Sequence, residues 1–100
     1  MRRDVSADAG NALSGEIEVQ NYPNPFNPTT NISYSLSTSG HVTLKVYDIL
    51  GREVKTLVND DEAAGYHTAT FDASRLASGI YFYRLTAPGI VKVKKMLLTK

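Results

Sequence analysis

Leu76-Ala77-Ser78-Gly79-Ile80-Tyr81-Phe82-Tyr83-Arg84-Leu85 is the stretch that decides the fold of this 100-residue chain. Leu-x-x-Gly-x-Tyr is the spacing of a tyrosine corner: glycine permits the turn, and the tyrosine hydroxyl at the start of the strand bonds back to nearby backbone. Leu76, Gly79 and Tyr81 therefore read as the structural corner of a β-sandwich. Tyr81, Tyr83 and Leu85 then share one face of a strand, since side chains alternate with period two. Pro88-Gly89 joins that strand to a last one, Ile90 to Leu98. Val91 and Val93 lie on one parity of this last strand and Met96 and Leu98 on the other, a switch that predicts a β-bulge near Lys94-Lys95.

Working back from the corner, the alternation is regular. Ile32, Tyr34 and Leu36 fall on one face, as do Val42, Leu44 and Val46, with Ser37-Thr38-Ser39-Gly40 as the turn between the two runs. Asp48-Ile49-Leu50-Gly51 puts aspartate first and glycine fourth, the preference of a type I turn with a following bulge, so a strand from Arg52 to about Val58 pairs back as a hairpin. Asn59 to Ala64 reads as a polar loop, and a strand runs from Gly65 to Phe71. Asp72 is placed to cap one helical turn over Ala73 to Ala77, ended by Gly79. Glu16 to Gln20 alternates as a short first strand. Pro23, Pro25 and Pro28 donate no ladder hydrogen bonds, so their segment runs along a sheet edge or crosses between sheets, with Phe26 as its anchor in the core. Residues 1–15 have no periodicity and read as a linker, leaving 16–100 as the folded domain. About seven short strands with turn signals at this spacing predict an all-β, immunoglobulin-like β-sandwich. Its core is expected to include Phe26, Leu44, Val46, Phe71, Tyr81, Tyr83 and Leu85.

Composition limits the function. A hydrophobic share of 42% in 100 residues supports one core and one domain. Eleven basic against ten acidic residues selects neither nucleic acid nor an acidic substrate as partner. The absence of cysteine excludes disulfides and thiolate metal sites. Met1-Arg2-Arg3 is basic but no apolar stretch follows, so it is not read as a secretory signal, and no stretch has the length of a membrane span. Charge is nonetheless uneven. From Pro88 onward the chain carries Lys92, Lys94, Lys95 and Lys100 and no acid, while Asp60-Asp61-Glu62 is a compact acidic run.

Catalysis needs a nucleophile beside a base, or paired carboxylates in a cleft. His41 and His67 are the two histidines, each at the start of a strand and suited to surface or cross-strand contacts. No serine lies in a Gly-x-Ser-x-Gly elbow. Asn59-Asp60-Asp61-Glu62 lacks the alternating ligand spacing of a calcium loop and reads as a solvated hairpin tip. No catalytic residue, metal site or cofactor is assigned. Tyr22, Tyr47, Tyr66 and Phe82 form a candidate sugar-stacking strip, the feature expected of a carbohydrate-binding module, although the chain has no tryptophan and most of its rings suit core packing.

Asn21-Tyr22-Pro23-Asn24-Pro25-Phe26-Asn27-Pro28-Thr29-Thr30, Val46-Tyr47-Asp48-Ile49-Leu50-Gly51-Arg52-Glu53-Val54, Ala64-Gly65-Tyr66-His67, Leu76 to Tyr83 and Lys94-Lys95-Met96 occur in the order shown by type A C-terminal sorting domains, which the chain resembles over residues 21–100. These domains belong to proteins exported by the type IX secretion system of Bacteroidota and relatives. The immunoglobulin-like domain of flagellar hook-capping proteins has a similar sequence style and implies a purely structural role. The sorting resemblance implies a non-enzymatic address. Such a domain is read by the outer-membrane translocon, carries a larger cargo from periplasm to cell surface or medium, and is often removed by a sortase-like protease acting in the linker before it. On that reading the inner-membrane signal lies upstream, and Asn11 to Gly15 is small and polar enough to be cut. Lys92, Lys94, Lys95, Met96 and Lys100 are the residues expected to be recognised. Charges on a terminal strand also protect an edge from aggregation, and an open edge offers backbone groups to a partner strand.

Overall fold

The computed structural model describes residues 19–100 and holds seven strands among them. They are β1 (Val19–Tyr22), β2 (Thr29–Leu36), β3 (Gly40–Tyr47), β4 (Glu53–Glu62), β5 (Gly65–Asp72), β6 (Gly79–Ala87) and β7 (Ile90–Leu98). The expected linker at 1–15 and the first residues of the expected opening strand lie outside the described residues. That strand runs on to Tyr22 instead of ending at Gln20.

The strands form two antiparallel sheets, ordered β1-β2-β5 and β4-β3-β6-β7. This is an immunoglobulin-like β-sandwich. It differs from the constant-domain arrangement in one respect: the fourth strand pairs with the third instead of joining the sheet of the first two. The hairpin turn explains why. The Asp48 carboxylate accepts from the backbone N–H of Leu50 and of Arg52, both at 2.9 Å, while Gly51 takes a φ of +83° and donates to the Asp48 carbonyl. Three residues, Ile49 to Gly51, thus reverse the chain within the Asp48–Arg52 pair, and β4 returns directly alongside β3.

Alternation places the core where period two requires. Ile32, Tyr34 and Leu36 from β2 are buried against Val42, Leu44 and Val46 from β3 and Tyr81, Tyr83 and Leu85 from β6. Phe26 is 1% exposed and its ring lies 6.0 Å from that of Phe71, so the proline segment is anchored as its sequence predicts. A polar cluster that the sequence does not advertise lies beside this anchor. Asn21 and Thr30, the latter 1% exposed, are hydrogen-bonded to one another and to the Pro23 carbonyl. The hydroxyl of Tyr83 donates to Asn21 Oδ1 across the sandwich, and burial pushes its pKa up to about 12.

Four local expectations are corrected. The helical turn after Asp72 is a simple turn, with Leu76 N–H bonded to the Ala73 carbonyl and Ser74 N–H to the Asp72 carboxylate. The acidic run is not a loop: β4 continues through Glu62, with Asp60 opposite Val42 and Asp61 opposite His41. Register shifts occur in the β3–β4 pair, beside Leu44 and Val46, and not in β7. The β6–β7 ladder runs without interruption from Gly79↔Leu98 to Ala87↔Ile90. Lys92 and Lys94 therefore share the inward parity of Met96 and Leu98, and Val91 and Val93 point outward, 56% and 58% exposed. The inward face of an outermost strand need not be apolar along its whole length, and Lys92 is half-buried while Lys94 is exposed. Lysine stems lie along such a face with the amines in water.

The corner itself is built from Gly79, whose φ of +151° disfavours any side chain, and from Tyr81, whose hydroxyl donates to the Ala77 carbonyl at 2.7 Å. Tyr81→Phe removes one largely buried hydrogen bond and keeps the ring. The expected cost is about 1 kcal/mol or somewhat more, read from the midpoint of urea unfolding at unchanged slope. A variant as stable as the parent would show that the hydroxyl contributes nothing to holding the corner.

Candidate functional site

The last strand and what surrounds it form the candidate site. β7 is the outermost strand of the four-stranded sheet, paired with β6 on one side only. Its other side is covered at one end. The Asn24 side chain accepts from the Leu97 N–H at 3.0 Å and donates to the Lys95 carbonyl at 3.5 Å. Phe26 N–H donates to the Leu97 carbonyl and Thr99 N–H to the Phe26 carbonyl. The proline segment thus lies against the C-terminal end of β7 as a short parallel bridge, Phe26 opposite Leu98. Among the described residues the edge is unbonded only along its first half.

The residues singled out in the sequence are distributed by this arrangement. Lys92 is half-buried and Lys94 exposed on the inward side of the sheet, while Lys95 is exposed on the outward side. Among the described residues no acid lies within ion-pair distance of these three lysines. Met96 is 1% exposed and anchors the strand in the core, out of reach of any docked protein. Lys100 is tied to the corner loop: its Nζ donates to the Ser74 carbonyl at 2.6 Å and its N–H to Ser78 Oγ at 3.0 Å. The outward face beside Lys95 carries Val91, Val93, Leu97 and Ile80, each at least 36% exposed, and Phe82. Sequence pattern missed this apolar stripe because a bulge was expected to turn the valines inward.

The opposite edge of the same sheet has the opposite sign. β4 carries Glu53, Asp60, Asp61 and Glu62 with Lys55 as its one cation. His41 lies across from Asp61 and bonds both Asn59 Oδ1, at 2.8 Å, and Asp61 Oδ1, at 3.1 Å, contacts that raise its pKa, the Asn59 bond most. Where β4 leaves for β5, Tyr34 donates to Glu62 Oε1 and stacks on His67, whose Nε2 lies 2.7 Å from the Ala63 carbonyl. Burial, and then the Glu62 bond, hold the Tyr34 hydroxyl well above the ordinary tyrosine range. These are cross-strand fastenings: the His41 bonds lie within the four-stranded sheet, and the Tyr34–Glu62 bond joins the two sheets. Neither histidine faces a nucleophile, and among the described residues no group of His, Asp and Glu is placed to hold a metal.

The four rings of the candidate stacking strip are divided between the two sheets. Tyr22 and Tyr66, 79% and 82% exposed, lie on the outer face of β1-β2-β5. Tyr47 and Phe82 are paired on the other sheet, where the Arg84 guanidinium lies 5.0 Å above the Tyr47 ring and donates to its hydroxyl. No single sugar-binding surface collects all four.

The described residues form an all-β sandwich with one basic edge strand. Comparison with known proteins identifies its family. Residues 20–99 match the family model of the secretion system C-terminal sorting domain, and the chain belongs to that family. It is 32% identical over 97 residues to an endo-acting ulvan lyase of Formosa agariphila, an alignment that covers 96% of this chain and 17% of the lyase. The chain thus spans about one sixth of the length of that curated relative. Among solved structures it is similar in fold to PorZ, an essential surface component of the type IX secretion system of Porphyromonas gingivalis. The TM-score is 0.52 and the identity 21%, over 88% of this chain and 12% of PorZ. No described helix is long and apolar enough to cross a membrane.

Proposed function

We propose that this chain is the C-terminal address of a larger exported protein, docking to the type IX outer-membrane translocon through the basic edge strand β7. Its family membership over residues 20–99 is the observation that carries this reading. Lys92, Lys94 and Lys95 supply the charge that draws in an acidic docking surface, and the folded sandwich presents them on a fixed strand. Met96 and Lys100 act indirectly, one by anchoring the strand and the other by fastening its end to the corner loop. The cargo passes from periplasm to cell surface or medium, and a sortase-like protease cuts within residues 1–15.

The test is delivery of a reporter. The full chain fused behind a periplasm-targeted reporter is expected to carry it out of a type IX-competent bacterium, and the reporter alone is expected to stay in the periplasm. Lys92, Lys94 and Lys95 replaced together by Gln should reduce export while shifting stability by only about 0.5 kcal/mol per site, since these side chains have no ion-pair partner among the described residues. Normal export of that variant would leave the lysines as protection against edge-to-edge aggregation. Failure of the intact fusion in a strain that exports its own substrates would overturn the sorting reading.

A further inference from the structure

Backbone direction on β7 follows from bonds already described. The N–H and C=O of Leu97 both point away from β6, toward Asn24 and Phe26, as does the carbonyl of Lys95. The ladder has no register shift, so the backbone groups of Val93 and Val91 point the same way. There the proline segment has already departed toward β1, and nothing among the described residues covers them. Among the described residues the edge is therefore filled along one half by Asn24–Phe26 and unbonded along the other.

We propose that the unbonded half, Val91 to Lys95, is a strand-addition slot that takes an extended acidic segment of the export machinery. The proposal rests on the sorting reading above and deepens it. Three features define the occupant. The outward amides and carbonyls of Val91 and Val93 require a strand, because only an extended backbone matches their spacing. Lys92 and Lys94 on the inward side call for carboxylates along that face of the added strand, and Lys95 adds one charge at the end of the other. The exposed side chains of Val91 and Val93 provide apolar contact on the outward face alone. A second copy of the chain suits the slot poorly: β7 against β7 brings six lysines together, and on the acidic β4 the register shifts interrupt the regular ladder that strand addition needs.

Val93→Pro tests this directly. The substitution removes an N–H that faces solvent, a position an edge strand tolerates, and puts a ring where the added strand would lie. In an NMR titration of the full chain with a capped peptide of alternating Glu and Val, the amides of Val91 and Val93 are expected to shift. The amide of Leu97, held by Asn24, should stay in place, and an alternating Lys-Val peptide should have no effect. Val93→Pro should bind the acidic peptide about tenfold more weakly or worse, since it loses one backbone bond and blocks its neighbour. Its reporter fusion should be exported correspondingly less. Equal binding and equal export by a folded Val93→Pro variant would overturn the slot and leave the sorting reading intact. Shifts confined to β4 or to the outer face of β1-β2-β5, or concentration-dependent self-association through β7 without peptide, would overturn it as well. If Val93→Pro does not fold, the titration of the parent chain decides. If the parent fusion is not exported, the sorting reading fails, and the peptide titration still reports whether the edge accepts a strand.

Discussion

Replacing Phe26 by alanine is expected to lower the unfolding free energy by about 3–5 kcal/mol, the range for emptying a buried aromatic site. Phe26 is 1% exposed, its ring contacts Phe71, and its backbone holds both Leu97 and Thr99. The residue therefore joins three elements at once: the proline segment, β5 and the end of β7. Small domains are stable by roughly 5–15 kcal/mol, so this one truncation removes a large fraction of the total. Denaturant unfolding of Phe26→Ala beside Tyr66→Ala is the appropriate measurement. Tyr66 is 82% exposed and its loss should lie within about 0.5 kcal/mol of neutral. A cost below about 1 kcal/mol for Phe26→Ala would mean that the proline segment is not fastened as described, because the site would have to collapse around the void.

Deleting Lys94 to Lys100 is expected to abolish cooperative unfolding altogether. The deletion removes Met96 and Leu98, 1% and 0% exposed, each worth about 2–5 kcal/mol by truncation alone. It also strips the β6 backbone from Gly79 to Tyr83 of its partner and takes away both groups bonded to Phe26. Buried donors and acceptors left without partners add to the cost. A thermal or urea scan of the truncated chain should show no sharp transition, and a persistent one near the parent midpoint would contradict this account. One consequence for export follows. A fusion lacking these residues should fail to cross, yet that failure would report loss of the fold and not loss of recognition. The Lys→Gln and Val93→Pro variants separate the two because they leave Met96 and Leu98 in place.

The parts of the fold that were legible before any coordinates are those governed by local geometry. Asp48 and Gly51 specify a turn by the bonds one carboxylate and one positive φ permit, and the hairpin formed there. Ile32, Tyr34 and Leu36 are buried because an antiparallel strand over a core admits only one parity. Errors arose where the same rule was applied without knowing what lay opposite. Val91 and Val93 have the parity opposite to Met96 and Leu98, which pointed to a bulge near Lys94-Lys95, whereas the unbroken ladder leaves the valines outward. Asp60, Asp61 and Glu62 are poor strand formers, yet β4 runs through them because pairing with β3 satisfies the backbone while Asp60 and Asp61 stay in water and Glu62 accepts from Tyr34.

The sequence by itself determined an all-β sandwich, its first hairpin turn, most residues of its core, and the family, since each of these depends on residues close together or on period-two alternation along one strand. Only the tertiary structure decided how the candidate site is arranged. That Lys92 and Lys94 share the inward parity of Met96 and Leu98 depends on an uninterrupted ladder between β6 and β7. That Asn24 and Phe26 fill the far half of the β7 edge depends on contacts spanning most of the chain, such as Asn24 to Leu97. No local pattern encodes such a pairing, because the hydrogen bonds of an edge strand are made by backbone groups common to every residue.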